Sequence, residues 1–136
     1  MARLQEPTEA SLKSRVVRYL RGKGCYVIPT TGDGKRQGLP DLLVSYKGIS
    51  GAAELKRKSR EKAHYNAADP IERWTGRGAT ELQARTLNAM ERDGGYIVML
   101  INDMDGGKKL FAELQHMAKL LEVAISQWME ERSAND

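Results

Sequence analysis

The stretch from Gly38 to Lys58, GLPDLLVSYKGISGAAELKRK, constrains the fold more than any other part of the chain. Two runs rich in apolar residues, Leu39 to Tyr46 and Ala52 to Arg57, lie on either side of the short segment GISG. Apolar runs of this length that flank a glycine-containing turn are typical of a β-hairpin. The sequence therefore predicts an antiparallel strand pair in the first half of the chain.

The rest of the chain alternates between helical and strand-like patterns. Leu12, Val16 and Leu20 recur at helical spacing, which predicts a first helix from Thr8 to Arg21. The other predicted elements are a strand at Cys25 to Ile28, a helix that starts with the capping box Thr80 to Gln83 and stops at Gly94, a strand at Tyr96 to Ile101, and a helix from Lys109 to Arg132.

The predicted order of elements is α-β-β-β-α-β-α. Helices interleaved with strands indicate an α/β fold in which a mixed central sheet is flanked by helices. The last strand, Tyr96 to Ile101, is almost entirely apolar, which predicts a central position in the sheet.

Length and composition limit the class of protein. The chain has 136 residues, enough for one domain, 1–136, with a substantial core. No run approaches the ~18 consecutive apolar residues of a membrane span, and MARLQEPTEASLK lacks the apolar centre of a signal peptide. The single cysteine, Cys25, excludes an internal disulfide. We therefore expect a cytoplasmic protein with no membrane partner.

Basic residues are concentrated toward the N-terminus, although the net charge is only +4. The first quarter of the chain contains Lys13, Arg15, Arg18, Arg21, Lys23, Lys35 and Arg36. The C-terminal end is acidic instead. This asymmetry is expected of a surface that binds a polyanion, but an ordinary solvated surface is also compatible with it.

The hairpin carries an unusual set of charges for a predicted sheet. Side chains alternate along a strand, so Glu54 and Lys56 are predicted on one face and Leu55 on the other. If Asp41 begins the neighbouring strand, its carboxylate can approach Glu54. Two such carboxylates repel each other unless a positive charge lies between them. Mg²⁺ takes oxygen ligands and keeps several waters, which suggests metal-assisted attack on a phosphodiester.

Pro40-Asp41, followed after twelve residues by Glu54-Leu55-Lys56, resembles the PD-(D/E)XK nuclease superfamily. Within it the chain is most similar to the small stand-alone VRR-NUC nucleases, with Holliday junction resolvases as close relatives. The likeness extends from Glu9 to Ile101. It implies a restriction-endonuclease-like αβββαβ core, here followed by a C-terminal helix. It also implies a deoxyribonuclease that needs Mg²⁺ or Mn²⁺ but no small-molecule cofactor, an endonuclease for branched or flapped DNA, and a homodimer.

The resemblance implies roles for the residues of the motif. Asp41, Glu54 and the backbone carbonyl of Leu55 would bind the metal. Lys56 would orient the attacking water or stabilise the charge that grows on the phosphate. Gln83 would support the site from the helix that follows the third strand.

The first helix supplies one further candidate. Glu9 matches the helix-1 carboxylate of the superfamily, ahead of Glu6, because it lies inside the helical pattern. A negative residue in the first turn also stabilises the helix dipole. Both explanations of Glu9 remain open.

The segment 59–79 is longer than the corresponding part of compact superfamily members and is predicted to be a flexible insertion. Its basic and aromatic residues, together with the glycine-rich loop before the hairpin, are candidates for contacts with phosphates and unpaired bases. The predicted DNA-binding residues are Lys35, Arg36, Lys58, Arg60, Arg73 and Trp74.

Two other functions compete with the nuclease. Taken singly, Asp41 could start a turn, Glu54 and Lys56 could pair on a surface strand, and Gln83 could be only a helix cap. A separate alternative is a nucleic-acid-binding protein that retains the nuclease fold without activity, against which the intact Asp41, Glu54 and Lys56 argue. A small helical transcription regulator is a third possibility, which the predicted strands disfavour.

Overall fold

The computed structural model describes residues 8–30 and 37–135 of the chain. Its main elements are α1 (Glu9–Gly22), β1 (Tyr26–Pro29), β2 (Leu42–Tyr46), β3 (Ile49–Leu55), α2 (Glu72–Thr75), α3 (Glu81–Arg92), β4 (Ile97–Ile101) and α4 (Met104–Ala134). A short 3-10 helix, Lys58–Arg60, follows β3.

The four strands form one mixed sheet in the order β1-β2-β3-β4. The β1–β2 and β2–β3 pairs are antiparallel, and β3 pairs with β4 in parallel. The predicted α/β class, hairpin and C-terminal helix are therefore confirmed. The hairpin turns at Lys47 and Gly48, both with positive φ, instead of at GISG. Two such residues match the twist of the flanking strands, so β3 begins at Ile49.

The prediction that the last strand is central was wrong, because β4 is at one edge of the sheet. Its apolar composition has a different cause. Leu100 packs against α3, while the next residue, Ile101, packs against α1 and α4. An edge strand covered by helices on both faces needs apolar residues at every position, as a central strand does.

Helices cover both faces of the sheet. On one face α1 and α4 enclose what we call the α1–α4 core, which includes Leu20, Leu55 and Leu114. On the other face α3 and the segment before it enclose a smaller α3 core that includes Trp74 and Leu87. Alternation along β3 and β4 distributes successive residues between the two cores.

Helix α4 begins earlier than predicted, at Met104 instead of Lys109. The Asp103 side chain caps it by accepting a hydrogen bond from Gly106 N at 2.9 Å. Gly106 and Gly107 precede the predicted start at Lys109 but lie inside the helix, and a Cβ on Gly106 would lie 3.2 Å from Ile101 Cγ2. Although α4 has 31 residues, no helix within 8–30 or 37–135 is long and apolar enough to cross a membrane.

The segment 59–79 contains defined structure. Besides the 3-10 helix and α2, it has a turn in which Asp69 Oδ1 accepts from the backbone N–H groups of Ile71 and Glu72. The backbone also closes on itself, since Lys62 N donates to Gly76 O at 2.6 Å. Its flexibility stays a prediction.

Candidate active site

Asp41 lies immediately before β2, opposite the end of β3. In the antiparallel register, Leu42 pairs with Ala53. Asp41 Oδ2 accepts a hydrogen bond of 2.8 Å from Leu55 N, and the Asp41 carbonyl accepts one of 2.9 Å from Thr30 N. The Asp41 carboxylate is therefore fixed at the end of the sheet where β1 and β3 end and β2 begins.

Glu54 is the one charged side chain among the described residues that is almost wholly buried, at 1% exposure. Its Oε1 accepts a hydrogen bond of 3.0 Å from Gln83 Nε2 and lies 3.8 Å from Lys56 Nζ. The Lys56 side chain is itself only 16% exposed. Burial of a carboxylate is costly unless polar partners compensate for the lost water, and here an amide and an ammonium group contribute.

The prediction that Glu54 and Leu55 face opposite sides of the sheet is confirmed. Leu55 packs in the α1–α4 core, whereas Glu54 contacts Gln83 of α3. Just beyond β3, Lys56 N donates to Ile101 O at 3.0 Å and extends the parallel pairing by one step. Lys56 is therefore fixed by its backbone to β4, with its ammonium group near Glu54. Metal ligation by the Leu55 carbonyl stays a prediction.

Gln83 uses both ends of its side-chain amide. Its Oε1 accepts from Thr80 N at 2.9 Å, and its backbone N donates to Thr80 Oγ1 at 3.2 Å, which together form a capping box at the start of α3. With Oε1 bound to Thr80, Nε2 points to Glu54. Gln83 therefore both caps α3 and donates a hydrogen bond to Glu54.

The carboxylate oxygens at this end of the sheet suit a small hard cation. Asp41 and Glu54 provide carboxylate oxygens, which are the protein ligands that Mg²⁺ prefers. Mg²⁺ is commonly bound through one or two carboxylates and retains several waters, so a pair of carboxylates is sufficient for it.

Glu9 is located in the first turn of α1, directly after Thr8, whose Oγ1 caps the helix by accepting from Ser11 N at 3.0 Å. Within 8–30 and 37–135, no three His, Cys, Asp or Glu side chains form a group able to hold a metal. Glu9 therefore does not complete a trio with Asp41 and Glu54 in this structure. Its catalytic role stays a prediction, and Glu6 lies outside the described residues.

The predicted DNA-binding residues are dispersed. Lys35 and Arg36 lie outside the described residues, and Arg60 is exposed. Lys58 Nζ lies 3.0 Å from Asp103 Oδ2. This hydrogen-bonded pair raises the pKa of Lys58 and, together with the bond from Gly106 N, lowers the pKa of Asp103. Asp103 was not predicted as a partner of Lys58, although its place before an amphipathic segment is typical of a helix cap.

The role in base stacking assigned to Trp74 needs correction. Its side chain is only 5% exposed and packs in the α3 core. Arg73 lies over the Trp74 ring, 4.0 Å from its centroid, and Arg73 Nη2 is 2.6 Å from Glu91 Oε1. With the indole buried and covered in this way, an unpaired base has no exposed tryptophan face on which to stack.

A basic groove lies between α1 and the end of β1. This groove, about 480 Å³ in volume, is lined by Lys13, Ser14, Val17, Arg18, Arg21 and Pro29. Lys13 Nζ is buried and has no hydrogen-bond partner among the residues that the structure describes. Pro29 pairs with Leu42, the residue next to Asp41. The sequence indicated that cations are numerous in this part of the chain, and the fold gathers Lys13, Arg18 and Arg21 in one groove along α1.

Comparisons with known proteins add nothing to this description. No protein-family model matches the chain, and neither the curated proteins nor the solved structures gave a match.

Proposed function

We propose that the chain is a metal-dependent nuclease that hydrolyses phosphodiester bonds of DNA, with branched or flapped DNA as its preferred substrate. The observation that carries this proposal is that Asp41, Glu54, Lys56 and Gln83 lie together at the end of the sheet where β2 begins and β3 ends. A buried glutamate is costly to the fold, and a site for a cation and a phosphate gives such a residue a purpose.

Asp41 and Glu54 are the residues that would hold Mg²⁺ or Mn²⁺. The bound ion would supply Lewis acidity and a bound water of lowered pKa. Asp41 lies immediately before β2 and Glu54 lies in β3, and each carboxylate is already fixed by hydrogen bonds: Asp41 by Leu55 N and Glu54 by Gln83. Such preorganisation reduces the reorganisation that binding requires.

Lys56 is the residue that would act on the reacting phosphate. Its ammonium group is 3.8 Å from Glu54 Oε1, so it lies within reach of an anion bound beside the carboxylates. An ammonium group in this position holds a water or stabilises the charge that develops on the phosphate oxygens. Gln83 acts indirectly, by positioning Glu54.

The basic groove is the surface on which the DNA backbone would lie. Lys13, Arg18 and Arg21 line it along α1 together with Pro29, which pairs with Leu42, the residue after Asp41. Phosphate contacts by lysine and arginine position a nucleic acid without reading its sequence. Recognition of DNA shape, rather than sequence, is compatible with a groove of this composition.

The test is cleavage of labelled DNA by the purified chain. Single-stranded, duplex, flapped and four-way-branched substrates are incubated with Mg²⁺, with Mn²⁺ and with a chelator. We expect cleavage that depends on the metal and is fastest on the branched or flapped substrates. Salt-sensitive binding of the same substrates without cleavage under any of these conditions would support the non-cleaving binding protein instead.

A further inference from the structure

The side of the sheet that carries Glu54 is only partly covered by helices. The α3 core on this side includes no residue of β1 within the described part of the chain. The strand register places Tyr26 of β1 beside Ser45 of β2, and Ser45 beside Ser50 of β3. Both serines are exposed, as are Tyr26, at 70%, and Ile28, at 47%. We call Tyr26, Ile28, Ser45 and Ser50 the open face.

The open face leads to the candidate site. Ser50 and Glu54 are four residues apart in β3, so their side chains lie on the same side of the sheet, and the register extends this side to Tyr26. At the other end of the row, Thr30 N donates to Asp41 O at 2.9 Å. The four residues from Tyr26 to Thr30 span about 13 Å of extended chain. A ligand on the open face can therefore continue to the carboxylates without crossing the sheet.

The backbone edge of β1 is protected against an additional strand. Because the Thr30 N–H points toward β2, the backbone groups of Val27 and Pro29 point away from it. Pro29 has no N–H, and the Val27 carbonyl accepts a hydrogen bond of 3.2 Å from Arg21 Nη2. Strand addition needs free backbone groups along an edge. The side chains of the open face, rather than the strand edge, are therefore the surface left for a partner.

Arg21 places a positive charge at the border of the open face. Its guanidinium group binds the carbonyl of Val27, the residue between Tyr26 and Ile28. The same side chain lines the basic groove on the α1 side of the sheet. An anionic chain in that groove therefore meets Arg21 where it reaches β1. An exposed aromatic ring with a cation at its border is the combination that binds single-stranded nucleic acid, because bases stack on rings and cations hold phosphates.

We propose that the open face binds the unpaired bases of a DNA substrate, and that a base stacks on Tyr26. The inference rests on the proposed function in taking DNA as the ligand, and it names the part of a flapped or branched substrate that the sheet contacts. Paired bases are not free to stack on a protein ring. Tyr26 would therefore select substrates with an unpaired strand and direct that strand toward Asp41 and Glu54.

The position of Tyr26 sets the length of strand that is needed. About 13 Å corresponds to about four nucleotides at the 3.4 Å spacing of a stacked strand. Tyr26 also takes the stacking role that the buried Trp74 cannot have. The exposed hydroxyl groups of Ser45 and Ser50 lie in the same row as the ring, where they can bond to the edges of a stacked base.

The experiment measures binding of labelled DNA to the full chain by fluorescence anisotropy in a chelator, so that metal-dependent cleavage does not occur. The probes are a blunt duplex and the same duplex with a single-stranded tail of about eight nucleotides, twice the estimated length. We expect the tail to raise the affinity of the wild type. Tyr26→Ala should lower the affinity for the tailed probe by a factor on the order of ten or more, as loss of one stacking ring does, and should leave the blunt duplex unchanged.

Two variants serve as controls. Tyr26→Phe keeps the ring and should bind the tailed probe as the wild type does. Trp128→Ala removes another exposed ring, at the far end of α4, and should have no effect. Circular dichroism of each variant confirms that the fold is retained.

A tail of abasic nucleotides separates the bases from the phosphates. With this tail the wild type should lose the gain in affinity, and Tyr26→Ala should cause no further loss. Equal binding of the tailed probe by wild type and Tyr26→Ala would overturn the inference and leave the open face to a protein partner. An equal effect of Tyr26→Ala on the abasic tail, or no binding of DNA by the wild type, would also overturn it.

These measurements are independent of the nuclease reaction. A chain that cleaves no DNA but binds tails through Tyr26 would contradict the proposed function and support the inference. Metal-dependent cleavage by a chain in which Tyr26→Ala binds tails normally would do the reverse.

Discussion

At the scale of single residues, Gln83 is where the start of a helix and the candidate site meet. Its carbonyl oxygen caps α3 and its amide nitrogen donates to Glu54. Glutamate at the same position keeps the capping box, because Glu and Gln are both favoured there. It cannot donate to Glu54, however, and it adds a second carboxylate. A Gln83→Glu substitution therefore separates the two functions of the residue.

We predict that Gln83→Glu lowers the free energy of unfolding at neutral pH by about 1–3 kcal/mol, the cost of replacing a buried hydrogen bond by an unfavourable contact. Two close carboxylates raise the pKa of one of them in the folded state. The folded protein then binds an extra proton, so stability should recover as the pH falls through that raised pKa. Urea unfolding at several pH values measures this effect.

Thr80→Ala is the control for Gln83→Glu. It removes the other half of the capping box and should cost about 1 kcal/mol. Since it leaves the Gln83–Glu54 contact in place, its effect should show no recovery at low pH. No loss of stability for Gln83→Glu at any pH would mean that Gln83 acts only as a cap.

Lys56 separates catalysis from binding. We predict that Lys56→Ala slows single-turnover cleavage in Mg²⁺ by a factor on the order of 10² or more, as loss of one charge-stabilising donor does. DNA affinity measured in Ca²⁺ should change little, because Lys56 is one charge among many. Lys56→Arg should restore activity poorly, since a planar guanidinium differs in shape from an ammonium group. Lys108→Ala, on the exposed side of α4, is the control. Cleavage at the wild-type rate by Lys56→Ala would exclude a role for Lys56 in chemistry.

Alternation along strands was sufficient to predict which hairpin side chains meet. It placed Glu54 and Lys56 together, and Asp41 followed from the antiparallel pairing. It could not predict that Trp74 is buried, because that depends on how an irregular segment packs on α3. An aromatic residue in a basic, aperiodic stretch has the same sequence pattern whether it is exposed or buried.

At the scale of elements, the segment 59–79 offers a test of whether its structure contributes to stability. Gly76 has helical backbone angles, φ −60° and ψ −25°, so propensity alone favours alanine there. A Cβ at this position would collide with the ring of Tyr65, however. We therefore predict that Gly76→Ala destabilises the protein by about 1–3 kcal/mol, as overpacking does, in chemical unfolding.

Gly22→Ala is the matched control for Gly76→Ala. Gly22 is the last residue of α1, and a Cβ there has no atom within 4 Å among the described residues. Alanine should be neutral or stabilising at this position, by up to about 1 kcal/mol. If both substitutions behave alike, Tyr65 does not pack against Gly76 in solution.

The cap of α4 predicts a dependence of stability on pH. Hydrogen bonds from Lys58 and Gly106 N lower the pKa of Asp103. A carboxylate with a lowered folded pKa stabilises the protein above its unfolded pKa of about 3.9, and this contribution is lost as the pH falls through the folded value. Asp103→Asn keeps a capping side chain but loses the charge. It should therefore be less stable than wild type at pH 7, with a difference that disappears in acid.

Urea unfolding of wild type and Asp103→Asn at pH 7 and in acid measures this difference. Asp103→Ala is the control, because it loses the cap as well and should cost about 1 kcal/mol further. A difference between wild type and Asp103→Asn that persists unchanged in acid would exclude the ionised cap as its source.

Periodicity predicted which elements exist better than where they begin. The amphipathic pattern identified α4, but Gly106 and Gly107 hid its first turn, since glycine usually marks a turn. Only the fold shows that Ile101 lies close enough to Gly106 to favour glycine inside a helix there. In the same way, an apolar strand such as β4 has the same composition at the centre of a sheet and at an edge that helices cover on both faces. The sequence of the strand alone could therefore not predict its place in the sheet.

At the scale of the whole molecule, two surfaces have different compositions. The basic groove lies along α1, on the face of the sheet opposite Glu54 and Gln83, and its lining residue Pro29 pairs with Leu42, next to Asp41. The far end of α4 combines an apolar stripe with acidic residues at its tip. The charge asymmetry of the sequence is therefore distributed in space: the cations lie along α1, where a polyanion is expected, and the acidic residues lie at the far end of α4.

The central claim, that Glu54 belongs to a metal-dependent nuclease site, is tested most directly by Glu54→Gln. Glutamine has nearly the same size and can still accept a hydrogen bond from Gln83, so the fold should remain and its stability without metal should hold or rise. Single-turnover cleavage of branched DNA in Mg²⁺ is measured for wild type, for Glu54→Gln and for wild type with a chelator. We predict cleavage by the wild type alone. Equal cleavage by wild type and a correctly folded Glu54→Gln variant would contradict the proposed site.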